Sequence, residues 1–239
     1  MWRYRYCMST TARMLVAGPA TPKLLGPGPL KPKLRGVLHQ YAFFVSLLCG
    51  VGLVDSAHTG LARWSAAVYA TAVSGVLGTS ALYHRVNWQM RAQRWMRRLD
   101  HSMIFVLIAA TYTPVALVAL PGALPRTILV VVWAGAAIGV ILKMAWIDAP
   151  KQLFAVGYLA LGWTTAAVIG QLAGAVGWLG LAGLAAGGLL YSGGAVIYAT
   201  ERPNPRPAVF GFHELFHALV VAAVAVQYAV MAFVVLPRG

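Results

Sequence analysis

Long apolar runs separated by short polar breaks dominate the chain, and none shows the strict alternation of a membrane β-strand. Seven runs are long enough to cross the hydrocarbon core of a bilayer, which needs about 20 residues in helical form. They predict helices at about 36–56, 64–83, 102–120, 126–146, 152–171, 176–199 and 213–236. Within them, T-Y-T-P at 111–114 predicts a proline-distorted helix, with Pro114 freeing the carbonyl of Ala110. Gly183 and Gly187 have the spacing that lets two helices approach closely. Arg91, Arg94 and Arg98 recur at helical spacing beside Trp88 and Trp95. That pattern predicts a short interfacial helix with arginines at lipid phosphates.

Composition strengthens this picture. Of 239 residues, 60% are hydrophobic and 10% charged, with mean hydropathy +0.72. A soluble domain of this size has no way to bury so much apolar surface, so the fold class is an all-α membrane protein, a seven-helix bundle. The net charge of +14 could signal nucleic-acid binding, but its placement argues against that. Sixteen of the nineteen Lys and Arg residues fall before span one or in the loops and ends facing the same side. Only Arg63, Arg126 and Arg238 fall opposite. The positive-inside rule then puts the N-terminus in the cytoplasm and the C-terminus outside. The excess charge serves topology and contact with anionic headgroups, and no nucleic-acid partner is expected. Residues 1–35, rich in Pro, Gly and basic residues, are expected to be a disordered cytoplasmic tail before a single domain at 36–239. Cys7 and Cys49 cannot form a disulfide framework.

Ionisable residues inside a membrane are costly and therefore point to function. H-E-L-F-H at 213–217 puts His213 and His217 on one face of a helix, four residues apart. Ser80 and His84 share a face at the cytoplasmic end of span two, and Asp100 opens span three on the same side. His84, His213 and His217 make a three-histidine set for Zn²⁺, with the fourth tetrahedral position left for water or substrate. Each residue also has a plainer role: His84 could simply end a helix, Asp100 could cap one, and Ser80 could bond its own backbone. Convergence of all five on one leaflet favours a metal site. His101 lies about 100° around its helix from Asp100, and His39 lies near the same surface. His58 is opposite.

S-A-L-Y-H at 80–84, L-D-H-S-M-I at 99–104, A-A-T-Y-T-P at 109–114 and F-G-F-H-E-L-F-H at 210–217 resemble the hemolysin III family. K-P-K-L-R-G-V-L-H at 31–39 fits the same pattern at the start of the first helix. The family is the bacterial branch related to progestin and adipoQ receptors, with distant similarity to alkaline ceramidases. The resemblance implies a bacterial inner-membrane protein with zinc near the cytoplasmic face. It implies His84, His213 and His217 as ligands, with Asp100 and Ser80 beside them. The relatives suggest hydrolysis of lipid amides or esters, in which Zn²⁺ is the cofactor and membrane lipids are the substrate and partners. Asp100 would then be the general base and Ser80 the group that orients water. Alternatives are a non-enzymatic cytolysin, a receptor-like sensor with structural zinc, and an H-E-x-x-H membrane protease using Glu214 as base.

Overall fold

The computed structural model describes residues 31–239, and among these it is helical, with no strand longer than an isolated bridge. The helices are α1 (Val37–Asp55), α2 (Gly60–Arg85), α3 (Met90–Pro114), α4 (Leu124–Ala145), α5 (Lys151–Gly162), α6 (Ile169–Thr200) and α7 (Phe212–Val230). Six stretches are long and apolar enough to cross a membrane: Val37–Asp55, Gly60–Arg85, Met90–Ala119, Leu124–Ala145, Lys151–Thr200 and Phe212–Arg238. Each of the first four helices packs on the next, α6 packs on α5 and α7, and α7 returns to α1, closing a ring. Large apolar side chains such as Leu48, Leu179 and Phe233 are about four-fifths exposed. Lipid, not water, is the solvent that tolerates them.

Two boundaries differ from the sequence expectation. The third helix begins at Met90, not near residue 102, so the arginine-rich stretch is its first three turns and not a separate interfacial helix. Packing of that extension on the end of α4 explains the continuity: Arg97 pairs with Asp148 at 2.9 Å, and Arg98 Nε donates to the Met144 carbonyl at 2.9 Å. The fifth and sixth predicted helices meet at Gly177, not across a gap at 172–175, and the fifth is interrupted by a 3₁₀ turn at Thr164–Val168. Gln152 Nε2 donates to the Ala199 carbonyl and Trp163 Nε1 to the Ser192 hydroxyl, so the two lie side by side. Gly177 has φ 71° and ψ 171°, a conformation reserved for glycine, and it ends one helix and starts another.

The α-helical ladder widens to π geometry at Val115–Ala119, directly after Pro114, which removes a backbone donor from the ladder. Thr111 and Thr113 hydroxyls donate to the carbonyls of Leu107 and Ala109 at 2.8 and 3.1 Å. Gly183 faces α7 so closely that a Cβ there would stand 2.5 Å from Val230 Cγ2. The expected basic tail lies outside the described residues as far as residue 30. Beyond it, Lys33 and Leu34 N–H groups donate to the carbonyls of Ala208 and Val209 at 3.1 and 3.2 Å.

Candidate metal centre

Two helices carry the cluster. His84 sits in the last turn of α2, and His213 and His217 occupy the first two turns of α7. α7 starts sharply because its free N–H groups are satisfied locally. Glu214 Oε2 accepts from the Gly211 N–H at 2.8 Å, and Asn204 Oδ1 accepts from the Phe212 N–H at 3.1 Å. Those caps fix the first turn and with it the direction of both α7 imidazoles.

The three side chains meet. His84 Nε2 and His213 Nε2 are 3.1 Å apart, and the candidate donor atoms of His84, His213 and His217 all lie within 4.8 Å of one another. Two imidazoles on one tetrahedral zinc stand about 3.4 Å apart, given Zn–N of about 2.1 Å. Facing ring nitrogens at this separation, on histidines only 5% and 2% exposed at 84 and 217, are a donor set suited to a borderline divalent ion. The residues fit a metal.

Around the cluster stand the other predicted residues. Asp100 Oδ2 lies 3.8 Å from His84 Nε2, and the Ser80 hydroxyl is within hydrogen-bonding reach of the Asp100 carboxylate. Both are buried. Asp100 lies ten residues inside α3, so it does not cap that helix. The plainer reading of Asp100 as an N-cap is thereby corrected.

Glu214, the base that a protease reading would need, is engaged elsewhere. It is 1% exposed, it caps its own helix, and it forms an ion pair with Arg35.

Sequence reasoning left His39 undecided and treated Lys143 only as a topology charge. His39 is 3% exposed and stacks on His217, with centroids 3.8 Å apart and planes 11° from parallel. Lys143 is 3% exposed, and its Nζ sits 3.6 Å above the Phe154 ring. The signal for Lys143 was present: an ionisable residue inside an apolar helix. His101 leaves its Nδ1 buried without a partner, while its carbonyl accepts from the Tyr158 hydroxyl at 3.0 Å.

The cluster opens into a cavity of about 410 Å³, within the range of about 300–1,000 Å³ typical of small-molecule sites. Ser80, Asp100, His213 and His217 line it near the metal-binding group, and Trp178 and Gln227 line it farther away. His213 and Gln227 lie on the same helix, about 21 Å apart at 1.5 Å per residue. Most of the remaining lining is aliphatic or aromatic.

These features define a helical membrane protein with a buried three-histidine group beside an apolar cavity. The family pattern described as haemolysin-III related matches residues 28–228, and the chain belongs to that family. It is 31% identical to "Hemolysin-3" of Bacillus cereus over 160 residues, covering 67% of this chain and 70% of that protein. It is 30% identical to "Hemolysin-3 homolog" of Bacillus subtilis (strain 168) over 155 residues, 65% of this chain and 70% of that protein. It is also similar to the human "Monocyte to macrophage differentiation factor", 27% identical over 180 residues, with 74% and 71% coverage.

Proposed function

We propose that this chain is a zinc-dependent hydrolase of lipid amide or ester bonds, set in the bacterial plasma membrane with its metal centre near the cytoplasmic face. The observation that carries the reading is that His213 and His217 of the three-histidine group, with Asp100 and Ser80, line a mostly apolar cavity. Such a cavity suits acyl chains of a membrane lipid and keeps bulk water from the reacting carbonyl.

The same reading takes the chain across the membrane seven times, with the N-terminus cytoplasmic and the C-terminus outside. The 50-residue stretch Lys151–Thr200 would extend about 75 Å as one helix, against a hydrocarbon core of about 30 Å. A break at Gly177 divides it into 151–176 and 178–200, each of crossing length. An odd count agrees with the lysines and arginines gathered on one side.

His84, His213 and His217 would hold the ion. Zinc bound there would supply Lewis acidity toward the substrate carbonyl and lower the pKa of water. Asp100, held in place by Ser80, takes the proton from the attacking water and returns it to the leaving nitrogen or oxygen. Ser80 fixes which carboxylate oxygen faces the reaction. Arg85, exposed beside His84, is available to a lipid headgroup.

A purified, metal-loaded full-length chain should release fatty acid from ceramide-like or phospholipid substrates in mixed micelles. Asp100→Asn should retain the metal and lose turnover. Intact metal loading with no release across a lipid panel would sink the hydrolase.

A second reading has its own observation. Asp100 lies close enough to His84 to serve as a fourth ligand, which would close the metal as a structural tie between helices. In that case Asp100→Asn lowers metal affinity. The bacterial relatives are named for haemolysis, so liposome leakage that persists in Asp100→Asn would favour a lytic role over hydrolysis.

A further inference from the structure

One short segment touches the metal-binding group at three points. Residues 33–34 hydrogen-bond to the loop before α7 through the carbonyls of Ala208 and Val209. Arg35 then forms an ion pair with Glu214, the residue that caps α7 and adjoins His213. Gly36 turns the chain with φ 78° and passes so near α2 that a Cβ on it would stand 2.5 Å from His84 Cβ. One turn later, His39 lies flat on His217. All three contacts come from five consecutive residues, and they fall on both helices that supply the candidate ligands.

His39 is the informative member. Neither ring nitrogen has a hydrogen-bond partner, although the residue is 3% exposed. A buried imidazole without partners costs roughly 1–3 kcal/mol in lost hydration, and an aliphatic side chain at this site would avoid that cost. What the ring does contribute is a flat face against His217. We infer that Arg35, Gly36 and His39 form a positioning clamp for the metal centre, in which the His39 ring holds the plane of His217 for coordination. His39 acts through His217 and does not bind the ion.

The inference rests on the metal centre proposed above, and the experiment separates the two. Full-length wild type, His217→Ala, His39→Leu and His39→Phe are purified in detergent and titrated with Zn²⁺ against a chromogenic chelator. The same proteins are then loaded with Co²⁺ and their visible absorption recorded. Groups that orient metal ligands typically contribute 10–100-fold to affinity. His39→Leu is therefore expected to weaken Zn²⁺ binding about tenfold and to shift the Co²⁺ bands. It should leave the melting temperature of the metal-free protein unchanged or raised, because it removes two unpartnered nitrogens from the interior. His39→Phe, which keeps a flat ring, should bind within about threefold of wild type with the wild-type spectrum. A merely structural role would lower the metal-free melting temperature and leave the spectrum alone.

His39→Leu with wild-type affinity and spectrum overturns the clamp. So does His39→Phe failing as badly as His39→Leu, since the nitrogens would then be ligands. Equal binding by wild type and His217→Ala removes the metal centre itself, and the clamp with it.

Discussion

The two ends of the cavity are built on opposite principles. At the histidine end, His39, Ser80, His84, Asp100, Glu214 and His217 are each 7% exposed or less. Most are held by neighbours: Glu214 by Arg35 and the Gly211 N–H, His84 by its approach to His213 and Asp100. At the far end, Gln227 donates to the Leu184 carbonyl at 3.2 Å and leaves its Oε1 unpartnered, amid aliphatic and aromatic walls. The first end concentrates polar groups that are costly to bury and so must be functional or paired. The second offers volume. On the hydrolase proposed above, chemistry would belong to one end and the choice of chain to the other.

That division is most exposed at the ligands. His217→Ala, His213→Ala or His84→Ala should each cut bound zinc from about one equivalent per chain toward background, read by elemental analysis of purified protein. Retention of a full equivalent in all three would mean that the cluster is not the metal site. Asp100→Asn should then keep the metal but lower fatty-acid release by about 10²–10⁴-fold, the usual contribution of a positioned proton-transfer group.

Next in size is the pair that holds the start of α7. Arg35→Met leaves the Glu214 carboxylate buried without its cation, and breaking such a pair costs about 3–5 kcal/mol when both partners are buried. Arg35 retains 21% exposure, so about 2–3 kcal/mol is expected here, read as thermal unfolding in detergent. Combining it with Glu214→Gln should recover most of the loss. No recovery would mean that Arg35 acts through something other than Glu214. Gly36→Ala combines a left-handed backbone with a Cβ that has no room beside His84. It should cost about 1–3 kcal/mol and weaken zinc binding together with stability.

Much of the histidine end was legible because polar residues stand out against an apolar background. Periodicity put His213 and His217 on one face, and charge asymmetry put Ser80, His84 and Asp100 at the same depth. What stayed hidden depends on how helices rotate and approach, which an almost uniformly apolar chain does not encode. α1 is apolar on its outward face as well, with Tyr41, Leu48 and Val51 at least 70% exposed, while only His39, Ser46 and Leu53 are buried, so no apolar stripe reported that His39 faces inward. The arginines at 91–98 read as a separate interfacial helix because their polarity ends the apolar run. Packing on α4 nevertheless keeps the backbone helical from Met90. The predicted edges at 171 and 176 fell short of the true boundary for a related reason: apolar residues fill 169–176, and only the conformation of Gly177 marks the break.

The smallest effect should come from the far end, and it discriminates most finely. Gln227→Leu removes an amide that satisfies only part of its hydrogen-bonding capacity and replaces it with a branched aliphatic group. Losing the bond to the Leu184 carbonyl costs about 0.5–1.5 kcal/mol, and relief of the unpartnered Oε1 offsets part of that, so unfolding should shift by less than about 1 kcal/mol. Zinc content should be unchanged, because Gln227 lies about 21 Å along α7 from His213. If acyl chains occupy the cavity, a change in wall shape at that distance from the reacting carbonyl alters which chain lengths fit. Competition between short- and long-chain substrates should then shift by several-fold while the rate on the shorter one holds. A uniform loss on all chain lengths, or a loss of metal, would show that the two ends are not separate after all.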